Sequence, residues 1–187
     1  MFAPWPHHQY FDAVVIWITG LSGAGKTTLS DAIAGLVKPR LPEFVQVDGD
    51  VVRAMVGQEQ DYSEGARVQQ IKRLQTLAGY LSRQNMVVAV AALYAHPDLL
   101  AWNRANFSDY FEVYIDAPLE TVRARDAKGL YAKADRGDMK HVVGLDIPWH
   151  APKHADLVID ARGSETPEAA ALRVARAVPR LAAALPR

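Results

Sequence analysis

Five short apolar runs punctuate the chain at 13–19, 44–47, 86–93, 111–116 and 156–160. They are rich in Val and Ile and mostly continuous rather than alternating, which is how strands covered on both faces read. Helical patterns lie between them. In 64–84, Val68, Ile71, Leu74, Leu77 and Leu81 recur at spacings of three and four, the signature of one buried helix face. A last helix is expected from Thr166-Pro167-Glu168, which supplies a cap, a first-position proline and an early acid. Strands alternating with helices predict an α/β fold, a five-stranded parallel sheet with helices on both faces. No internal repeat or linker interrupts residues 1–187, so one domain is expected. Residues 1–12 read as a short N-terminal arm.

The segment 126–154 breaks the alternation. It is charged, carries Gly129, Gly137, Gly144, Pro148 and Pro152, and holds no convincing strand. A stretch this long inside a compact domain is usually functional, often a lid. Arg123, Arg125, Lys128, Lys133, Arg136 and Lys140 would let such a lid deliver positive charge. The plainer alternative is a solvated loop.

Composition narrows the classes. The chain has 21 Lys+Arg and 21 Asp+Glu, a formal net charge of zero, which argues against a broad nucleic-acid footprint. With no cysteine, disulfides, thiolate metal sites and cysteine nucleophiles are excluded. No apolar run reaches the length of a membrane span. The beginning has no basic segment leading into an apolar one, so it does not read as a signal peptide. A cytoplasmic location without membrane or nucleic-acid partners is the expectation.

The chemistry concentrates after the first apolar run. Gly20, Gly25, Lys26 and Thr27 fit G-x-x-x-x-G-K-[ST] between a strand and a helix, the context that a phosphate-binding loop requires. Backbone N–H groups around Ser22, Gly23 and Ala24 would line a nest for phosphate oxygens. The next helix adds the positive end of its dipole. Lys26 would neutralise the terminal phosphates, and the hydroxyl of Thr27, followed by Thr28, would hold Mg²⁺. The expected ligands are therefore ATP and Mg²⁺. No N-K-x-D element for guanine is present. A small domain with this loop and a basic lid reads as a small-molecule kinase, which needs a second site for the acceptor.

Asp48-Gly49-Asp50 is the candidate for that site. It ends a strand at the carboxyl edge of the sheet, where open α/β folds bind ligands. One acid would orient or deprotonate a hydroxyl, and Asp50 would help to hold Mg²⁺. Lys26, Asp48 and Asp50 are thus the catalytic candidates. Arg53 lies nearby, and Arg67 and Gln70 share a helix face. Together they would grip an anionic acceptor; taken singly, each arginine reads as a solvated surface charge.

With these residues in view, the chain from about 14 to 160 resembles the adenylylsulfate kinase family of P-loop kinases. The elements are Ile18-Thr-Gly-Leu-Ser-Gly-Ala-Gly-Lys-Thr-Thr28, Asp48-Gly-Asp-Val-Val-Arg53, Tyr62-Ser63 with Arg67, and Glu112-Val-Tyr-Ile-Asp116. The most specific is Arg125-Asp-Ala-Lys-Gly-Leu-Tyr131, followed by Gly144-Leu-Asp146 and Pro148. The resemblance implies a three-layer P-loop kinase fold and transfer of the γ-phosphate of ATP to the 3′-hydroxyl of adenylyl sulfate. It implies that Arg53 and Arg67 hold the phosphosulfate and that Lys128, Gly129 and Leu130 close over it. Arg125 would lie against the adenine of ATP. Members of the family often form dimers, so a homodimer is the implied assembly.

Departures cluster on the acceptor side. Where the family stacks the acceptor base between two phenylalanines, Tyr62 and Val142 stand. Gln70 and Val51 replace asparagines. The family's serine-containing strand end reads Ala91-Ala-Leu-Tyr-Ala-His-Pro97, which puts Leu93 and Tyr94 at the pocket. Asn103-Arg104-Ala-Asn106 and Val142-Val143-Gly144 resemble a branch that includes kinases of cytidine diphosphoramidate. That leaves a modified cytidine nucleotide as an alternative acceptor. A nucleotide-binding module without turnover is the alternative outside enzymes.

Overall fold

Val15–Thr19 forms β1, every residue of it buried. A computed structural model describes residues 13–57, 61–126 and 128–186; the N-terminal arm expected at 1–12 lies outside them. The other strands are β2 (Phe44–Asp48), β3 (Val87–Ala92), β4 (Tyr110–Asp116) and β5 (Leu157–Asp160). All pair in parallel, in the order β2-β3-β1-β4-β5. Each expected strand is present, its ends shifted by two residues or fewer. β1 lies third of the five strands, with Trp17 in register with Val90 on one side and Glu112 on the other. Burial on both faces explains why the inner strands β1 and β3 are continuous and mostly Val, Ile and Ala, each large side chain adding roughly 1.5–3 kcal/mol of transfer free energy, whereas the edge strands β2 and β5 keep exposed positions.

The described helices are α1 (Lys26–Val37), α2 (Gly49–Met55), α3 (Glu64–Arg83), α4 (Pro97–Asn106), α5 (Leu119–Arg125), α6 (Leu130–Asp135), α7 (Pro167–Ala177) and α8 (Pro179–Ala182). The crossover from β1 to β2 steps outward past β3, whereas β2 to β3 and β3 to β4 step back. Right-handed crossovers then put α1 on one face and α3 and α4 on the other. The contacts agree: α1 packs against α7, and α3 packs against α2 and α4. The result is three layers. No described helix is long and apolar enough to cross a membrane.

Local signals set the helix ends. Ser63 caps α3 by accepting from the Ala66 N–H at 3.3 Å, and Ile71 and Leu74 turn into the core, with Val68, Leu77 and Leu81 packed against it. Thr166 caps α7 through the Ala169 N–H, with Pro167 in the first turn, as the sequence predicts. Polar braces complete the α3 side. Buried Gln75 donates to the Leu99 carbonyl and to Asn103 Oδ1, joining α3 to α4. The strand order leaves the ends of β1, β2 and β3, at Thr19, Asp48 and Ala92, along one edge, where the site is built.

Candidate active site

The loop after β1 is shaped by glycine. A Cβ at Gly20 would stand 2.8 Å from the Ile115 carbonyl of β4, so only glycine lets the chain leave the sheet there. Gly25 caps α1 in the left-handed region at φ 103°, a conformation that glycine takes without strain. α1 has no acid in its first turn, so no side chain of its own offsets the positive end of its dipole. Lys26 curls back over the loop and donates from Nζ to the Gly20 and Leu21 carbonyls, each at 2.8 Å. Burial holds its ammonium down to about 8. The Asp50 charge opposes that shift, the Lys128 charge reinforces it, and the Asp48 charge opposes it.

Asp48 ends β2 and caps α2. Its Oδ1 accepts from the N–H groups of Asp50 (2.8 Å) and Val51 (3.4 Å), while Oδ2 accepts from the Thr27 hydroxyl at 2.7 Å. One carboxylate thereby fixes the phosphate loop's hydroxyl against the second acid. The exposed Asp50 is ion-paired with Lys128 of the lid. Burial pushes its carboxyl up, but the Lys128 hydrogen bond and the charges of Lys128, Lys26 and Arg53 outweigh it and leave it below the usual range. Among the described residues no three His, Cys, Asp or Glu form a metal cage. The oxygen donors of Thr27, Asp48 and Asp50 suit Mg²⁺, which typically takes one or two carboxylates and shares the rest of its shell with phosphates and water.

On the acceptor side, the two arginines are not solvated surface charges. Arg53 is 8% and Arg67 7% exposed. Arg53 Nη1 donates to the Asp61 carbonyl at 2.7 Å. Arg67 donates from Nε to the Tyr62 carbonyl (3.1 Å) and from Nη2 to the His141 carbonyl (2.6 Å). Both guanidiniums face the Tyr62 ring, at 5.1 and 5.6 Å from its centroid. Their i, i+14 spacing gives no periodic signal, which is why the sequence reads each as exposed. Gln70 Nε2 donates to the Gly49 carbonyl at 2.8 Å, so the acceptor face of α3 is tied to the Asp48–Asp50 turn.

These groups line one cleft of about 390 Å³. It collects Ser22, Gly23, Gly25, Lys26, Thr27 and Thr28 from the loop and Asp48 and Asp50 from the turn. Arg53, Tyr62, Arg67, Gln70, Leu93 and Tyr94 form the opposite wall, with Lys128 and Leu130 above. Sequence reasoning missed the floor made by Ile71, Leu74, Ala91 and Ala92, because residues of the core pattern also face the cleft. It also missed Met139.

Several expected site residues do not line the cleft. Gly20 is its root, Ala24 is buried in the core, and Gly129 caps α6 at φ 62°. Arg125 donates to the Ala161 carbonyl at 2.9 Å, away from the cleft lining. Val142 is a correction: it is 1% exposed and sits in the core, because the turn 142–147 closes on its carbonyl. It offers no face to an acceptor base.

Part of the lid, α6 at Leu130–Asp135, is helical where the residue pattern reads only as charge. Asp126 accepts from the Tyr131 and Ala132 N–H groups and starts α6, and the Tyr131 hydroxyl donates to the Ser22 carbonyl of the phosphate loop at 3.1 Å. Of the six lid cations, Lys128 and Lys133 face the cleft. Arg123 and Arg136 are held by Asp135 and Asp138 of the lid itself.

Known proteins are similar to this chain in sequence and fold. A family model described as adenylylsulphate kinase matches residues 12–160. An adenylyl-sulfate kinase of Paraburkholderia xenovorans is 38% identical over 147 residues, covering 78% of this chain and 82% of the relative. One from Synechococcus sp. (strain JA-3-3Ab) is 37% identical over 145 residues, with 78% and 82% covered. The Mycobacterium tuberculosis APS kinase, solved in complex with AMPPNP and APS, superimposes with a TM-score of 0.78 at 30% identity, over 89% of this chain and 97% of that one. The phosphate loop, the paired acids and the match across residues 12–160 together make this chain a member of the adenylylsulphate kinase family.

Proposed function

We propose that this chain transfers the γ-phosphate of ATP to the ribose 3′-hydroxyl of adenylyl sulfate, giving 3′-phosphoadenylyl sulfate. One observation carries this reading: a single cleft holds Lys26 on one wall and the buried Arg53–Arg67 pair on the other, with Asp50 in the same lining. Such a cleft suits two anionic ligands brought end to end.

The residue roles follow from position. The loop N–H groups and Lys26 bind the polyphosphate, and the nest they form needs no reorganisation when charge develops. Asp48 fixes the Thr27 hydroxyl, and Thr27 with Asp50 would hold Mg²⁺, which supplies charge neutralisation at the transferring group. Arg53 and Arg67 hold the phosphosulfate. Asp50 accepts a hydrogen bond from the acceptor hydroxyl and orients it once Lys128 releases the carboxylate. Lys128 and Lys133 then contribute positive charge from the lid, which excludes water. The cytidine alternative, drawn from Asn103-Arg104-Ala-Asn106 and Val142-Val143-Gly144, finds no support among the relatives described above, which are adenylyl-sulfate kinases.

The test is a panel of nucleotides with ATP and Mg²⁺, read by product mass and ADP release. Adenylyl sulfate is expected to gain 80 mass units on the ribose, as roughly one phosphoryl group requires. Lys26→Ala is expected to abolish turnover and leave the circular dichroism spectrum intact. ADP release that ignores adenylyl sulfate, or persists in Lys26→Ala, would refute the proposal.

A further inference from the structure

Tyr94, the residue after the apolar run 86–93, stands where the resemblance expects a serine. It is 3% exposed, and its hydroxyl donates to Glu64 Oε1 at 2.5 Å. Glu64 is the first residue of α3 and directly follows the turn 61–63. That turn carries the partners of both acceptor-side arginines. The Asp61 carbonyl receives Arg53, the Tyr62 carbonyl receives Arg67, and the Tyr62 ring lies against both guanidiniums. The turn is also closed on itself, by the Ser63 N–H on Asp61 Oδ1 at 3.0 Å. Of these contacts, only the Tyr94–Glu64 bond reaches the end of a strand.

Accepting the proposed function, we infer that Tyr94 is a positioning residue: from the end of β3 it holds Glu64, and through Glu64 it fixes the turn that aims Arg53 and Arg67 at the acceptor's anionic arm. A guanidinium directed by a backbone carbonyl moves when that carbonyl moves. Arg53 hangs on this turn, and Arg67 is shared between it and the His141 carbonyl, so a loose turn frees Arg53 and leaves Arg67 with one anchor. Burial of the phenol and its bond to the carboxylate push it up to about 12, so it remains a donor throughout the neutral range. The bond has a second effect. Arg67 is near enough for its charge to act on the Tyr94 hydroxyl. A carboxylate at Glu64 without its donor would be free to turn toward the arginines and compete with an incoming anion. A serine could not span this distance or fill this wall.

Tyr94→Phe keeps the ring and removes the donor. Glu64→Gln keeps an acceptor oxygen and removes the charge. With ATP saturating, Tyr94→Phe is expected to raise the KM for adenylyl sulfate about threefold to tenfold, the scale of one hydrogen bond. Its kcat and its KM for ATP should stay within about twofold of wild type, and Glu64→Gln should keep the acceptor KM within about twofold. An unchanged acceptor KM in Tyr94→Phe would overturn the inference, as would an equal rise in both KM values. An acceptor KM in Glu64→Gln as high as that in Tyr94→Phe would also overturn it, because charge rather than the hydrogen bond would then be responsible. Hydrogen exchange of the ligand-free protein separates this inference from the proposed function. Amides of 61–67 should exchange faster in Tyr94→Phe, while those of 20–28 keep their rates. If wild type ignores adenylyl sulfate, the function fails and exchange alone decides the latch; unchanged exchange at 61–67 removes it.

Discussion

ATP binding should draw a proton onto Lys26, and the pH dependence of affinity should reveal it. In the nucleotide-free protein the ammonium is held down to about 8 by burial, with the Asp50 and Asp48 charges only partly compensating. The ordinary value is 10.5. A polyphosphate beside Nζ restores the charged form, so the bound state titrates well above the free one. By linkage, ATP then prefers the protonated enzyme and its affinity falls as pH rises through the free-enzyme value. With that value near 8, about one lysine in ten is neutral at pH 7 and about nine in ten at pH 9. Affinity should therefore drop about tenfold between pH 7 and pH 9, or about 1.4 kcal/mol. At pH 8, binding should take up about half a proton.

Titration calorimetry in two buffers of different ionisation heat measures both quantities. Phosphate monoesters titrate near roughly pH 6, so the nucleotide itself adds little above pH 7.5. Lys26→Arg supplies the control, since a guanidinium stays charged over the whole range and should flatten the profile. A wild-type affinity constant from pH 7 to 9 with no proton uptake at pH 8 would refute the reasoning. The same shift has a sign for stability. The unfolded chain keeps the Lys26 proton between pH 8 and 10.5 while the folded, nucleotide-free chain has lost it. The Lys26 contribution to stability therefore rises with pH through that window.

Two further outcomes follow from contacts around the loop. Gly20→Ala should lower stability by about 1–3 kcal/mol, because its methyl would stand 2.8 Å from the Ile115 carbonyl; a denaturant midpoint unchanged from wild type would contradict the clash. Tyr131→Phe should raise the KM for ATP about threefold to tenfold, because it frees the lid helix from the Ser22 carbonyl, and an unchanged KM for ATP would detach the lid from the loop.

What the sequence made legible and what it hid divide along chain separation. The five strands and α3 rest on periodicity, which is local, and they stand where expected. The phosphate loop and the Asp48–Asp50 turn are also local, since the loop needs its glycines at fixed offsets and Asp48 caps the very helix that follows it. The acceptor wall is of another kind. Arg67 is directed by the His141 carbonyl, 74 residues away, and Tyr94 by Glu64, 30 residues away. No pattern along the chain marks such pairs, so Arg53 and Arg67 taken singly read as surface charges, and only their grouping and the family resemblance point to the cleft.

Val142 fails for the same reason in reverse. The resemblance puts it opposite Tyr62, but the side chain's direction is set by the six-residue turn 142–147, in which the Val142 carbonyl accepts from Leu145, Asp146 and Ile147. That turn is closed from the other side by Asp146, which accepts from the Val142 N–H. A residue whose backbone is bound on both sides cannot swing to meet a ligand without opening the turn. The groups that face the cleft on that side are Tyr62, Leu93, Tyr94 and Met139. Tyr62, Leu93 and Tyr94 stand at departures from the family pattern and Met139 went unread, whereas every loop residue that lines the cleft was legible. Phosphate recognition is written in backbone shape, which glycine spacing encodes; acceptor recognition is written in side chains whose directions depend on partners elsewhere in the fold.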